Sequence, residues 1–226
     1  MAGREYEPIQ PRGGFSVRKV LERIGALALL IGTTALKWGF VFLKFFGFFI
    51  SVAAYTLWFH SWTFAFGFVV MILIHELGHN FEARRQGLQV SWPTFIPFLG
   101  AYVTIKHAGL SPWRSSLISL AGPFAGGIAC VVAWVLGESR DSELLVVLAN
   151  IGFLLNAFNM IPIGFLDGGQ IMKAAVEAWR MPVIRFEGNV PVQALAPDRA
   201  RALLILFMYL TLAAALVAGL LATNPG

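Results

Sequence analysis

Several runs of this chain are apolar for long enough to cross a bilayer, which takes about 20 helical residues. Inside hydrocarbon every backbone polar group has to be satisfied within the protein, and these runs read as helices. The sequence predicts spans near residues 41–59, 63–84, 113–136, 144–161 and 200–222. With 58% hydrophobic and 13% charged residues, the composition is too apolar for a soluble domain. The expected fold class is an all-α polytopic membrane protein of about five transmembrane helices. The net charge of +5 fits cytoplasmic loops and anionic headgroups, and no nucleic-acid partner is expected. The lone cysteine, Cys130, excludes an intrachain disulfide and a multi-cysteine metal site, and reads as a packing residue.

The second of these runs ends in Ile74-His75-Glu76-Leu77-Gly78-His79, an H-E-x-x-H pattern. Residues four apart share a helix face, so His75 and His79 can grip one ion together. Imidazole nitrogen suits zinc. Glu76 lies one residue round the helix, beside the ion, where it can act as general base toward water at the metal. The bland alternative is a chance pattern in a membrane helix. Against it, ionisable groups are expensive inside a bilayer and mark function there, and three of them fall in five positions.

Residues 1–16 hold Pro8, Pro11, Gly13 and Gly14 and read as a flexible cytoplasmic tail. No cleavable signal peptide is expected in the polar, basic start. Residues 17–59 form the N-terminal helix and first span. Lys37 and Lys44 interrupt that stretch, which favours an interfacial helix handing over to a span near 41–59 above one long tilted helix. His60 to Trp62 is a short polar break. Residues 88–111 mix Pro93, Pro97 and Gly100 with aromatic and β-branched residues, too broken for a helix and too apolar for a solvated loop. A short β-hairpin or re-entrant loop associated with the membrane is expected there. The third span carries Ala121-Gly122-Pro123-Phe124-Ala125-Gly126-Gly127, in which small residues at 122 and 126 let helix backbones approach. A loop at 137–143, the fourth span, an amphipathic helix at 169–180, a polar proline-bearing loop at 181–198 and a final span complete the chain.

Charge sets the expected orientation. Arg84, Arg85, Lys106 and Arg114 flank one end of spans two and three, and Lys173, Arg180, Arg185, Arg199 and Arg201 flank spans four and five. The 137–143 loop has one arginine against Glu138, Asp141 and Glu143. The positive-inside rule places the basic ends in the cytoplasm. The H-E-x-x-H and Asp167, some 90 residues later, then meet toward the cytoplasmic side.

Two histidines leave a catalytic zinc one protein ligand short. Asp167 follows the fourth span in Leu166-Asp167-Gly168-Gly169, and an acid there without a partner would be costly. It reads either as the third ligand, which the H-E-x-x-H favours, or as the N-cap of the helix at 169. Glu177 is the rival ligand, with Lys173 and Arg180 nearby suggesting a salt-bridging face instead. His107 is a weaker candidate, and Arg85 stands where an extended zincin pattern needs a third histidine.

Together, His75-Glu76-Leu77-Gly78-His79 and Asn159-Met160-Ile161-Pro162 with Leu166-Asp167-Gly168-Gly169 resemble the site-2 protease family of intramembrane zinc metalloproteases. Ala121-Gly122-Pro123 and Pro97-Phe98-Leu99-Gly100-Ala101 look like the family too. The resemblance covers about residues 60–180, the family's three-helix core. It implies that His75, His79 and Asp167 bind one Zn2+, that Glu76 activates water, and that Asn159 holds substrate or the developing oxyanion. An amide can donate to such an oxygen; a capping or interhelical hydrogen bond is the plainer role. The implied reaction is hydrolysis of a peptide bond within or near a substrate's transmembrane helix. Implied partners are single-span membrane proteins such as anti-sigma factors, membrane-tethered transcription factors or signal-peptide remnants. Phe98, Gly100, Ala101 and Tyr102 are candidate contacts to an opened substrate strand. The loops leave no room for an inserted PDZ domain, and 181–226 is expected to be only a polar loop and the final span. The setting expected is a prokaryotic cytoplasmic membrane. A membrane zinc transporter and a catalytically silent adaptor are the alternatives from other classes.

Overall fold

The structure, a computed structural model, describes residues 17–96, 100–106, 109–187 and 190–224. It is mostly helical. The chain divides into two units, Met1–Leu43 and Lys44–Gly226. The division falls inside α1 (Val17–Phe59), which runs as one helix with no break at Lys37 or Lys44. The sequence favoured two elements here. Lysine has good helix propensity and a long stem, so a single one interrupts hydropathy without interrupting backbone. In the first unit the described part of α1 is exposed along its length, with Arg18 Nε on Glu22 Oε1 at 3.1 Å one turn on.

The second unit holds α2 (Trp62–Arg85), α3 (Pro112–Ser139), α4 (Glu143–Asn159), α5 (Asp167–Arg180) and α6 (Arg199–Ala222). Three of these, α2, α3 and α6, are long and apolar enough to cross a membrane, and α4 is apolar but only 17 residues long. The starts of α2 and α3 are written in the local sequence. Ser61 caps α2 by accepting from Phe64 N, and Ser111 caps α3 by accepting from Arg114 N, with Pro112 in the first turn, where its missing N–H costs nothing. Pro123 lies inside α3. It has no N–H to offer the carbonyl of Ser119, which opens a gap in the helix ladder at that level.

Helix α3 is the central post. It packs on α2, α4 and α5, and α6 packs on α4 and α5. The shared core includes Met71, Leu148, Phe153, Ile171, Ile205 and Leu216. Helix α5 buries Ile171, Ala174, Ala175 and Ala178, the i, i+3, i+4, i+7 stripe of an amphipathic helix.

Between α2 and α3 run two nested antiparallel ladders. Strand β1 (Gln89–Val90) pairs with β4 (Ile105–Lys106), and β2 (Thr94–Ile96) pairs with β3 (Gly100–Tyr102) in the register Phe95↔Ala101. Phe95 is buried on Val69 and Ile72 of α2, whereas Ile96 is exposed, the period-2 alternation of a strand. Asn80 of α2 ties this segment down by donating to Ser91 O at 2.6 Å, and Arg84 donates to Asn80 Oδ1 at 2.6 Å.

The stretch expected as a polar loop at 181–198 is instead a pair of antiparallel strands, β5 (Pro182–Glu187) and β6 (Val190–Pro197). Val183, Ile184, Phe186, Val190 and Val192 supply strand-forming residues, and Pro182, Pro191 and Pro197 disguise them. Proline is tolerated in a strand at its first residue, at a bulge or along an edge. The register shifts next to Pro182 and between Arg185 and Phe186.

The α4–α5 connection is fixed by close approach. A Cβ on Gly168 would overlap Met160 O, so only glycine lets α5 start against the end of α4. Tyr209 of α6 donates to that same Met160 O at 2.7 Å. Replacing the hydroxyl with Tyr209→Phe is expected to lower stability by about 1 kcal/mol, read as an earlier midpoint in thermal or denaturant unfolding of the purified chain.

Candidate active site

Helix α2 carries His75 and His79 one turn apart on the face toward α3 and α5. Asp167 is the first residue of α5, and the N-cap position falls on Leu166, which makes no side-chain cap bond. The N-cap reading is thereby corrected. The carboxylate turns to the imidazoles instead, because the helix begins two residues earlier than the glycine pair suggested. Asp167 Oδ2 lies 3.2 Å from His75 Nε2, Asp167 Oδ1 lies 3.3 Å from His79 Nε2, and the two Nε2 atoms are 3.2 Å apart. These three residues are the one group of potential metal ligands among the described residues.

The separations fit a metal. Ligands held ~2.0–2.1 Å from a tetrahedral zinc stand about 3.3–3.4 Å apart. The backs of the imidazoles fit as well. His79 Nδ1 donates to Ile118 O of α3 at 2.7 Å, and His75 Nδ1 lies 2.8 Å from Asn156 Oδ1 of α4. A metal-ligating histidine has its second nitrogen held in this way. His75 is 4% exposed and Asn156 is fully buried. Burial pushes the Asp167 carboxyl up, and His79 beside it, with the contacts to both imidazoles, outweighs burial and holds it at about 2.

Glu76 lies on the wall of the same cleft of about 650 Å³, and among the described residues no hydrogen bond or ion pair engages it. Asn159 also lines the cleft; its Nδ2 donates to Leu155 O, one turn back in α4, at 3.1 Å. Ala101 and Tyr102 of β3 line the cleft as well. Gly100 is in β3, while Phe98 and His107 lie outside the described residues. Glu177 is ten residues further along α5 than Asp167, about 15 Å by helical rise, and is absent from the ligand group.

Sequence reasoning assigned the small residues of α3 to helix packing. Two of them serve the site. A Cβ at Gly122 would overlap His79 Nε2, and a Cβ at Gly126 would overlap Asn156 Oδ1. Asn156 itself was missed. An asparagine in an apolar span announces an interhelical hydrogen bond without naming its partner.

Residues 63–140 and 138–194 match the family model of Peptidase family M50. Over 110 residues the chain is 29% identical to a zinc metalloprotease of Methanocaldococcus jannaschii, a match covering 46% of this chain and 32% of that protein. Over 158 residues it is 29% identical to a chloroplast protein of Arabidopsis thaliana named "probable zinc metalloprotease", covering 49% and 29%. The chain thus spans about a third of the length of these curated relatives. A solved structure titled "Site-2 Protease from Methanocaldococcus jannaschii" aligns over 59% of this chain and 64% of its own, at 22% identity and a TM-score of 0.46.

The overlap at Gly122 makes a prediction. Gly122→Ala should displace His79 and weaken zinc binding by about 10-fold or more, the scale on which disturbed support of a ligand is felt, while helix content by circular dichroism stays at the wild-type level. Zinc per chain after dialysis against a weak chelator reads the effect.

Proposed function

The chain belongs to Peptidase family M50, and from that premise we propose that it is a zinc-dependent intramembrane endopeptidase that cuts a peptide bond within or near the membrane span of its substrate. The observation that carries the proposal is the convergence of His75, His79 and Asp167 at one cleft in a helical membrane protein, beside a Glu76 that has no hydrogen-bond or ion-pair partner among the described residues. The curated relatives named as zinc metalloproteases support the chemistry.

His75, His79 and Asp167 hold the metal. Bound there, zinc supplies Lewis acidity, which acidifies a water and polarises the carbonyl to be attacked. The remaining work belongs to the chain. A Glu76 carboxylate oxygen takes the proton from the attacking water and returns it to the departing amine nitrogen. Asn159 keeps one Nδ2 hydrogen on Leu155 O and has a second, free to donate to the oxyanion that develops on the carbonyl. A peptide bond inside a helix is hidden by its neighbours, so the substrate has to open first. Strand β3 offers an opened segment something to pair with. Its partner in the ladder is β2, and its residues Ala101 and Tyr102 face the cleft, which suits addition of an extended strand.

The substrates are single-span membrane proteins, of which anti-sigma factors, membrane-tethered transcription factors and signal-peptide remnants are examples. The basic residues Arg84, Arg85 and Arg114 at the ends of α2 and α3 nearest the site favour an active site toward the cytoplasmic side of a prokaryotic cytoplasmic membrane.

Purified protein with zinc, offered a panel of single-span substrates, tests the reading. Cleavage by wild type should fall by about 10²–10⁴-fold in Glu76→Gln, with zinc content unchanged, because glutamine keeps the shape and loses the base. Equal cleavage by both would remove Glu76 from the mechanism. The strand reading makes a separate claim. Tyr102→Pro removes a backbone donor from β3 and should slow cleavage of a full-length span while leaving zinc content alone; an unchanged rate would sink strand addition at this edge.

A further inference from the structure

We infer that Asn156 is a positioning residue that fixes the tautomer of His75, so that the Nε2 lone pair of this imidazole faces the metal position. The inference rests on the metal reading of the site given above.

The geometry leaves the amide no choice of orientation. Asn156 is fully buried, and its Nδ2 lies 2.8 Å from Gly152 O. A carbonyl oxygen only accepts, so the nitrogen has to be on that side and Oδ1 on the other. Oδ1 then sits 2.8 Å from His75 Nδ1. It has no proton to give, so Nδ1 must carry one. With the proton on Nδ1, a neutral imidazole presents its lone pair at Nε2, the atom 3.2 Å from both Asp167 Oδ2 and His79 Nε2. A free imidazole favours the opposite tautomer, with the proton on Nε2, and in that form His75 would point a donor at the metal.

The two histidines differ in how they are held. His79 gives its Nδ1 proton to Ile118 O, a backbone group that no substitution removes. His75 depends on one side chain. Space for that side chain is built in, since a Cβ at Gly126 would overlap Asn156 Oδ1, and the Sγ of fully buried Cys130 lies 3.9 Å from Asn156 Nδ2. Three helices therefore converge on one amide: α4 supplies it and turns it, α3 makes room, and α2 uses it.

The rival role for Asn156 is a plain interhelical hydrogen bond that holds α4 to α2. Zinc affinity of the purified full chain, by competition with a calibrated chelator, separates the two when read for wild type, Asn156→Leu, Asn156→Asp and His75→Ala. Leucine fills the space and removes the acceptor, so affinity should fall about 10–100-fold. Aspartate keeps an oxygen facing Nδ1 and should restore affinity close to wild type even where its thermal midpoint is lowered. In parallel, 15N spectra of histidine-labelled, zinc-loaded wild type should show the His75 proton on Nδ1, a measurement that needs no variant to fold. Wild-type affinity in Asn156→Leu, or equal losses in the leucine and aspartate variants, would leave only the packing role. A His75 proton on Nε2 would overturn the proposal by itself. If wild type held zinc no better than His75→Ala, the metal reading would fall, and this proposal with it.

Discussion

An imidazole that gives one nitrogen to a metal is left with a second polar nitrogen, and in the interior of a helical membrane protein nothing but protein is at hand to satisfy it. That requirement organises the second unit. His79 sends its Nδ1 to the α3 backbone at Ile118, and His75 sends its own to Asn156 on α4. Two histidines on α2 thus specify which surfaces of α3 and α4 must meet α2, to within the length of a hydrogen bond. An unpaired donor at either place would cost on the order of 1–3 kcal/mol, comparable to a good share of what holds a marginally stable protein together.

The approach distance follows from the same demand. A side chain on α3 at position 122 or 126 would occupy the place of His79 Nε2 or of the Asn156 amide. In lipid, helices associate through close packing more than through hydrophobic burial, so small residues there serve two ends at once: they bring the backbones together and leave sockets for polar side chains. The carboxylate of the group arrives by a different device. Gly168 lets α5 begin hard against the end of α4, Tyr209 of α6 secures that end through Met160 O, and Asp167 is the first helical residue past the turn. The placement of Asp167 beside the histidines therefore depends on α6 as well, although α6 gives no residue to the group.

Much of this was legible in advance for reasons that are local. The 3.6-residue period puts His75 and His79 on one face whatever surrounds them, and a carboxylate between an apolar span and two glycines needs a partner. Other features were not. The β5–β6 pair hid behind prolines, because proline argues against a strand interior and says little about strand ends, edges or bulges. Lys37 and Lys44 looked like breaks because hydropathy and backbone continuity are different properties. Asn156 was invisible because the partner that gives it meaning lies 81 residues away.

The sequence by itself determined that this chain enters a membrane as helices, that one helix face can grip an ion, and that an acid waits beyond the fourth apolar run. These follow from periodicity and from the expense of charge in hydrocarbon, which need no knowledge of neighbours. Only the tertiary structure decided that Asp167 points at the imidazoles instead of capping its helix, that Gly122 and Gly126 are sockets, and that an amide on α4 meets His75 Nδ1. Hydrogen-bond partners and excluded volume between helices are pairwise quantities, and a pair distant in sequence exists only once the chain has folded.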